Sequence, residues 1–279
     1  MNILYLFVFV FGTIIGSFLN VVILRMNTGL TLQGRSQCFS CGNTLSWYEL
    51  LPVVSFFFLR GRCRSCRSKI SWQYPFVEVL AGLVYLVLFI HLFNMFGLSM
   101  VFLINLFLSY IGWAILIVIL VYDYRHQIIP DSSVLLFIAV SALYSLFKAG
   151  WEISSMVFIS SVISAGILFS FFFFLWFVSD GRWVGFGDAK LSIGIGFYLG
   201  IAGGLSALAF AFWSGAIVAV AILCIQRFLV DKHGLSSGGK TLTMKSEIPF
   251  APFLILGMFV ALMFQSDVFG IHNFFPYVL

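Results

Sequence analysis

Residues 156–178 read MVFISSVISAGILFSFFFFLWFV, an apolar run without one charged side chain. About 20 such residues, wound as an α-helix rising 1.5 Å each, cross a hydrocarbon core of roughly 30 Å. A helix of this length on a water-soluble protein keeps a charged stripe for solvent, and this run has only scattered serines. It reads as a membrane span, and the chain on both sides repeats the pattern. Comparable runs lie at 3–24, 75–95, 101–122, 132–147, 189–199, 204–225 and 250–264. The predicted fold is therefore all-α, a polytopic membrane bundle of about eight transmembrane helices. The run at 189–199 is the weakest, being short and rich in glycine.

Composition says the same. Of 279 residues, 62% are hydrophobic, 9% are charged and 35 are phenylalanine. A soluble domain carries about 25% charged residues to solvate its surface. No Lys or Arg precedes the run at 3–24 and no small-residue cleavage site follows it, so it is expected to stay as a helix rather than leave as a signal peptide.

The cations give the orientation. With the N-terminus outside and every run crossing, the inside loops are 25–74, 123–131, 179–188 and 226–249. Arg25, Arg35, Arg60, Arg62, Arg64, Arg67 and Lys69 fall in the first. Arg125 falls in the second, Arg182 in the third with Lys190 just beyond, and Arg227, Lys232, Lys240 and Lys245 in the fourth. Only Lys148 of the 15 Lys and Arg residues is left outside. Cytoplasmic loops collect such residues. The formal charge of +5 then follows from topology and does not call for a nucleic-acid partner.

Four of the five cysteines lie in the first inside loop, as Cys38-Phe39-Ser40-Cys41 and Cys63-Arg64-Ser65-Cys66. Each CxxC presents two thiolates from one tight turn, and two such turns complete the four-thiolate shell of structural zinc. Disulfides are disfavoured in the reducing cytoplasm where the charge pattern puts this loop. A closed shell leaves no open position for water, so the metal is expected to hold the loop's fold and not to hydrolyse anything. Cys224, alone in an apolar run, reads as packing.

Only ten Asp and Glu serve the chain, so those near a membrane boundary are informative. Asp123, in Val121-Tyr122-Asp123-Tyr124-Arg125, closes the third run. Asp188, in Gly185-Phe186-Gly187-Asp188-Ala189-Lys190, opens the sixth. Between them the chain crosses out and back, which permits the two carboxylates to meet at one depth. Close together in a low-dielectric site they cannot both ionise easily, so one holds a proton while the other activates a water. Gly185 and Gly187 read as positions needing unusual backbone angles or close approach of an extended substrate. Lys190 and Arg125 either favour the ionised aspartates or anchor at the interface. Asp131, after Pro130, reads as a helix N-cap. Glu78, a turn into the second run, reads as stabilised by the helix dipole or as binding a substrate ammonium.

These motifs, in this order, resemble the type IV prepilin peptidases, or leader peptidase/N-methyltransferases. The likeness runs through Gly16-Ser17-Phe18-Leu19-Asn20-Val21-Val22, both CxxC turns, and Ile70-Ser71-Trp72-Gln73-Tyr74-Pro75-Phe76-Val77-Glu78. It continues through Asp123, Ile129-Pro130-Asp131, Gly185 to Leu191 and Ile248-Pro249-Phe250-Ala251-Pro252-Phe253. The resemblance implies catalysis by Asp123 and Asp188 in the manner of GxGD proteases, on prepilins or pseudopilins at the cytoplasmic face of the inner membrane. It also implies N-methylation of the new terminus with S-adenosylmethionine as donor. No soluble Rossmann-like unit is present, so that second site is expected in the first inside loop and adjoining helix ends, with Glu78, Asn20 and Arg25 as candidates. The expected organisation is a first helix at 1–24, the four-cysteine loop with the methyl-transfer region at 25–74, and the peptidase helices at 75–279. The rival readings are a proton-coupled transporter with a paired-Asp relay, a zinc-knuckle scaffold and a GxGD protease of another membrane substrate. A transporter has no evident need of four cysteines, and no repeated half is visible.

Overall fold

The protein is described from a computed structural model, which covers residues 2–29, 31, 33–151, 155–233, 249–265 and 267–270. The cations Lys240 and Lys245 and the start of the 248–253 motif lie outside the described residues. Within them the chain is all-helical, with two isolated antiparallel bridges and no strand. The helices are α1 (Asn2–Arg25), α2 (Val54–Phe58), α3 (Gln73–Phe96), α4 (Met100–His126), α5 (Asp131–Trp151), α6 (Ser155–Val178), α7 (Phe186–His233) and α8 (Ala251–Phe264). Six are long and apolar enough to span a bilayer, and α8 is a shorter apolar helix. The molecule is an integral membrane protein. Contacts divide it into two compact units, Met1–Tyr122 and Asp123–Leu279.

In the first unit α1 packs along α3 through glycines. A Cβ built on Gly16 would stand 2.7 Å from Glu78 Cα, closer than real atoms approach. Lipid tails are as apolar as leucine, so helices in a membrane gain from close backbone packing rather than from burial, and small residues allow it. Tyr85 and Tyr110 stack with ring centroids 4.1 Å apart, and each hydroxyl donates to the other's backbone carbonyl, at 2.9 and 3.2 Å. That reciprocal pair ties α3 to α4 without leaving either phenol unsatisfied.

In the second unit α5, α6 and α8 pack around α7. Tyr144 of α5 stacks on Tyr198 of α7 at 4.3 Å, and Phe137, Phe172, Leu191, Ile195, Leu254 and Met258 are wholly buried. The sequence predicts two spans, 189–199 and 204–225, where the secondary structure is one element. At Gly200 (φ 72°, ψ −172°) the path leaves the helix. Residues eight apart on a straight helix are about 12 Å apart, yet a Cβ on Gly204 would lie 3.9 Å from Gly196 Cα. So α7 is a hairpin of two apolar arms. Its turn is held by α6, where Ser164 Oγ donates to the Gly200 carbonyl (2.8 Å) and Ser160 Oγ accepts the Ile201 N–H (3.3 Å). Backbone groups freed by a bend inside lipid need such partners.

Two sequence expectations need correction. The third span does not stop at Tyr122, because α4 continues to His126 and carries Asp123 on its last turn. Beyond the cysteine turns, the first loop contains a 3₁₀ turn at Trp47–Leu50 and the short α2. Cys224 is exposed on the second arm of α7 and is not packed inside.

Candidate active site and metal centre

Asp123 and Asp188 both belong to the second unit. Asp123 stands on the last turn of α4 and is 4% exposed; Asp188 stands on the first turn of α7 and is 5% exposed. They are close enough for their charges to act on one another. The Ala251 backbone N–H, at the start of α8, faces the Asp123 carboxylate, and the Gly185 N–H faces that of Asp188. One oxygen of each, Oδ2 of Asp123 and Oδ1 of Asp188, has no hydrogen-bond partner among the described residues. Buried acceptors without partners cost roughly 1–3 kcal/mol each and mark places where a proton, water or substrate is handled.

In the Gly185-Phe186-Gly187-Asp188 turn, Gly187 serves close approach, not backbone freedom. Neither glycine has a positive φ, contrary to the reading that both permit unusual angles. A Cβ on Gly187 would stand 2.9 Å from Ile129 Cβ, and one on Gly185 would stand 3.5 Å from Asp188 Oδ2. Gly187 lets α7 approach the segment leading into α5, whereas a Cβ on Gly185 would make only an ordinary contact with the carboxylate. Lys190 does not address the pair. Its Nζ forms a 2.8 Å ion pair with Asp131 Oδ1 and lies 5.0 Å above the Phe186 ring. Asp131 is accordingly the first residue of α5, not its N-cap, with an exposed carboxylate turned to Lys190. The motif at 248–253 marked Ala251 without giving its role, which comes from the start of α8 beside Asp123.

In the first unit the sulfurs of Cys38, Cys41, Cys63 and Cys66 all lie within 4.8 Å of one another. The two turns share one design. Cys38 N–H donates to Asn43 O and Gly42 N–H to Cys38 O; Cys63 N–H donates to Ser68 O and Arg67 N–H to Cys63 O. Gly42 (φ 71°) and Arg67 (φ 61°) take the left-handed conformation at equivalent places. Cys38 and Cys66 Sγ are 3.8 Å apart, about the edge of a tetrahedron with metal–sulfur bonds of about 2.3 Å. The donor set fits a metal ion. Backbone N–H groups of Cys41 and Ser40 turned toward Cys38 bring its thiol down to about 6. The Ser68 hydroxyl, 3.1 Å from Cys66 Sγ and 3.7 Å from Cys38 Sγ, lowers Cys66 as well. Serine two residues after the last cysteine is the contributor that sequence reading missed.

Two family models match the chain, Bacterial Peptidase A24 N-terminal domain over residues 10–92 and Type IV leader peptidase family over residues 110–220. The chain belongs to the type IV leader peptidase family. Relatives named prepilin leader peptidase/N-methyltransferase include one from Bacillus subtilis (strain 168), 28% identical over 267 residues, covering 95% of this chain and 96% of that protein. Another, from Myxococcus xanthus (strain DK1622), is 32% identical over 222 residues, 78% of this chain and 62% of that protein. A third, from Dichelobacter nodosus, is 26% identical over 298 residues, 97% and 95% of the two. No solved structure matches.

In this leader peptidase chain the N-terminal match spans α1, the cysteine turns and most of α3, where Asn20, Arg25 and Glu78 lie. Glu78 is buried, and its Oε2 accepts the Val53 N–H at 2.7 Å. Asn20 donates to the carbonyls of Gly16 (3.3 Å) and Tyr74 (3.2 Å), while its Oδ1 and the buried Nε2 of Gln73 have no partner among the described residues. Arg25 is spent on the loop, its guanidinium donating to the carbonyls of Thr31, Gln33 and Arg35.

Proposed function

We propose that the chain is a prepilin leader peptidase of the bacterial inner membrane, cutting the leader of a prepilin or pseudopilin with Asp123 and Asp188 as the catalytic pair. The supporting observation is the buried pair itself, with one oxygen of each aspartate lacking a hydrogen-bond partner among the described residues. A water between them loses a proton to one carboxylate and adds to the scissile carbonyl carbon, whose oxygen the other, protonated, aspartate stabilises. The C–N bond then breaks as the leaving amine takes a proton from the pair. The Ala251 and Gly185 N–H groups hold the carboxylates, leaving the oxygens without partners among the described residues for the reacting atoms. The distribution of cations, which puts nearly all Lys and Arg in the loops beside Arg25, Arg125, Arg182 and Arg227, favours a cytoplasmic active site and an N-terminus outside.

The same reading carries N-methylation of the new terminus. S-adenosylmethionine, when bound, supplies the methyl group. On this chain Asn20 Oδ1 and Gln73 Nε2, without partners among the described residues, are the groups that fit a polar, charged ligand, and Arg25 is a holder of the loop rather than of the donor. Zinc in the four-cysteine centre keeps that loop folded and takes no part in hydrolysis.

The deciding experiment incubates purified protein with a prepilin and reads product masses for the parent, Asp123→Ala and Asp188→Ala. Loss of cleavage by about 10²–10⁴-fold or more in both variants is expected. Cleavage retained in either removes the two-aspartate mechanism, and cleavage by the parent without an added methyl in the presence of S-adenosylmethionine removes the second activity.

A further inference from the structure

The loop between α1 and α3 is tethered to membrane spans at both ends, at Arg25 and Gln73. Outside those spans it still carries apolar surface that its own fold leaves open. On α2, Phe56 is buried against Trp72, ring centroids 4.8 Å apart, while its neighbours Phe57 and Phe58 face outward, Phe58 with 84% of its surface exposed. Trp72, the residue before α3, is 69% exposed and stands 6.3 Å from Phe57. Phe76, one turn into α3, is exposed as well. Trp47 and Val54 are further exposed apolar residues of the same loop.

Charge defines what this patch meets. Directly after α2 come Arg60, Arg62, Arg64, Arg67 and Lys69, all exposed. The one acid between Met26 and Trp72 is Glu49, whose carboxylate is occupied by the Ser46 N–H at 2.7 Å. Tryptophan beside the end of a span settles at headgroup level. A short apolar helix locked to that tryptophan sits at the same level, and basic residues beside it meet acidic headgroups.

We propose that α2 and Trp72 form an anchor embedded in the bilayer interface, laying the four-cysteine loop flat on acidic phospholipid headgroups through the basic residues that follow. The anchor stands independently of the catalytic reading. It requires only the tether at both ends, the outward aromatics and the run of cations.

The test places a photo-crosslinking benzoylphenylalanine at Phe58 in the full-length protein, reconstituted in bilayers of phosphatidylcholine with or without phosphatidylglycerol. Position 56 serves as the buried control and position 57 as the replacement should the first variant fail to fold. Mass analysis is expected to find phospholipid adducts at position 58 and few at 56. Their yield should rise by about fivefold when phosphatidylglycerol is included, the order expected from one cation near an acidic surface. Crosslinks to a second copy or to a bound prepilin in place of lipid, or no adduct at all, overturn the anchor. An equal yield in both bilayers overturns the headgroup contact.

Discussion

Asp131 and Gly187 separate what the residues near the carboxylate pair do. Asp131→Asn removes only an exposed ion pair with Lys190, a contact worth at most about 1 kcal/mol, so cleavage should fall by less than about tenfold, whereas Asp123→Asn should abolish it. Product mass on a prepilin distinguishes the two, and equal loss would make Asp131 part of the chemistry. Gly187→Val forces a side chain into Ile129, which stands 2.9 Å from the position of a Cβ. Overpacking of this kind typically costs about 1–3 kcal/mol. A lower cleavage rate is expected, recovered in part by adding Ile129→Ala, since contacting residues couple and a distant defect would not.

Among the elements, α1 and α3 touch backbone to backbone at Gly16, so Gly16→Leu should lower the thermal unfolding midpoint in detergent, with a loss of about 1–3 kcal/mol. A midpoint equal to the parent's would mean that the two helices part freely. Four helices, α1, α3, α6 and α8, were legible from the sequence within a residue or two at both ends, because an apolar run gives way to polar or charged residues there, as at Arg25; α4 and α5 run four residues past the apolar stretch, and the short α2 had no such run. The cysteine centre was legible because two CxxC turns leave few geometries. The chain crossing out and back between them permitted Asp123 and Asp188 to meet, and the structure brings their charges within reach of one another. What stayed hidden depended on tertiary contact. Lys190 could be placed near Asp188 but not assigned to Asp131, Gly187 could be read as unusual but not as room for Ile129, and Phe56 gave no sign that it would lock α2 to Trp72. Hydropathy also could not extend α4 past Tyr122, where the residues turn polar while the backbone stays helical.

For the whole molecule, the cysteine centre lies in the first compact unit and both aspartates in the second. Cys63→Ser should therefore empty the metal site, read by elemental analysis, and sharply reduce methyl transfer, while cleavage stays within about tenfold of the parent because its carboxylates sit on helices the metal does not fold. Parallel loss of both activities would mean that the units do not act separately. The hairpin in α7 has its own consequence. Its first arm, 186–199, is about 21 Å long at 1.5 Å per residue, and α8, with 14 residues, is no longer. Both fall short of a hydrocarbon core of about 30 Å, and both begin beside the aspartates. A bilayer relieves such a mismatch by thinning around the short helices. Lipid chain length then becomes a control on the enzyme: cleavage should be faster in bilayers of 14-carbon than of 20-carbon acyl chains, and rates independent of thickness would mean that the short arms sit behind longer helices, out of reach of the lipid.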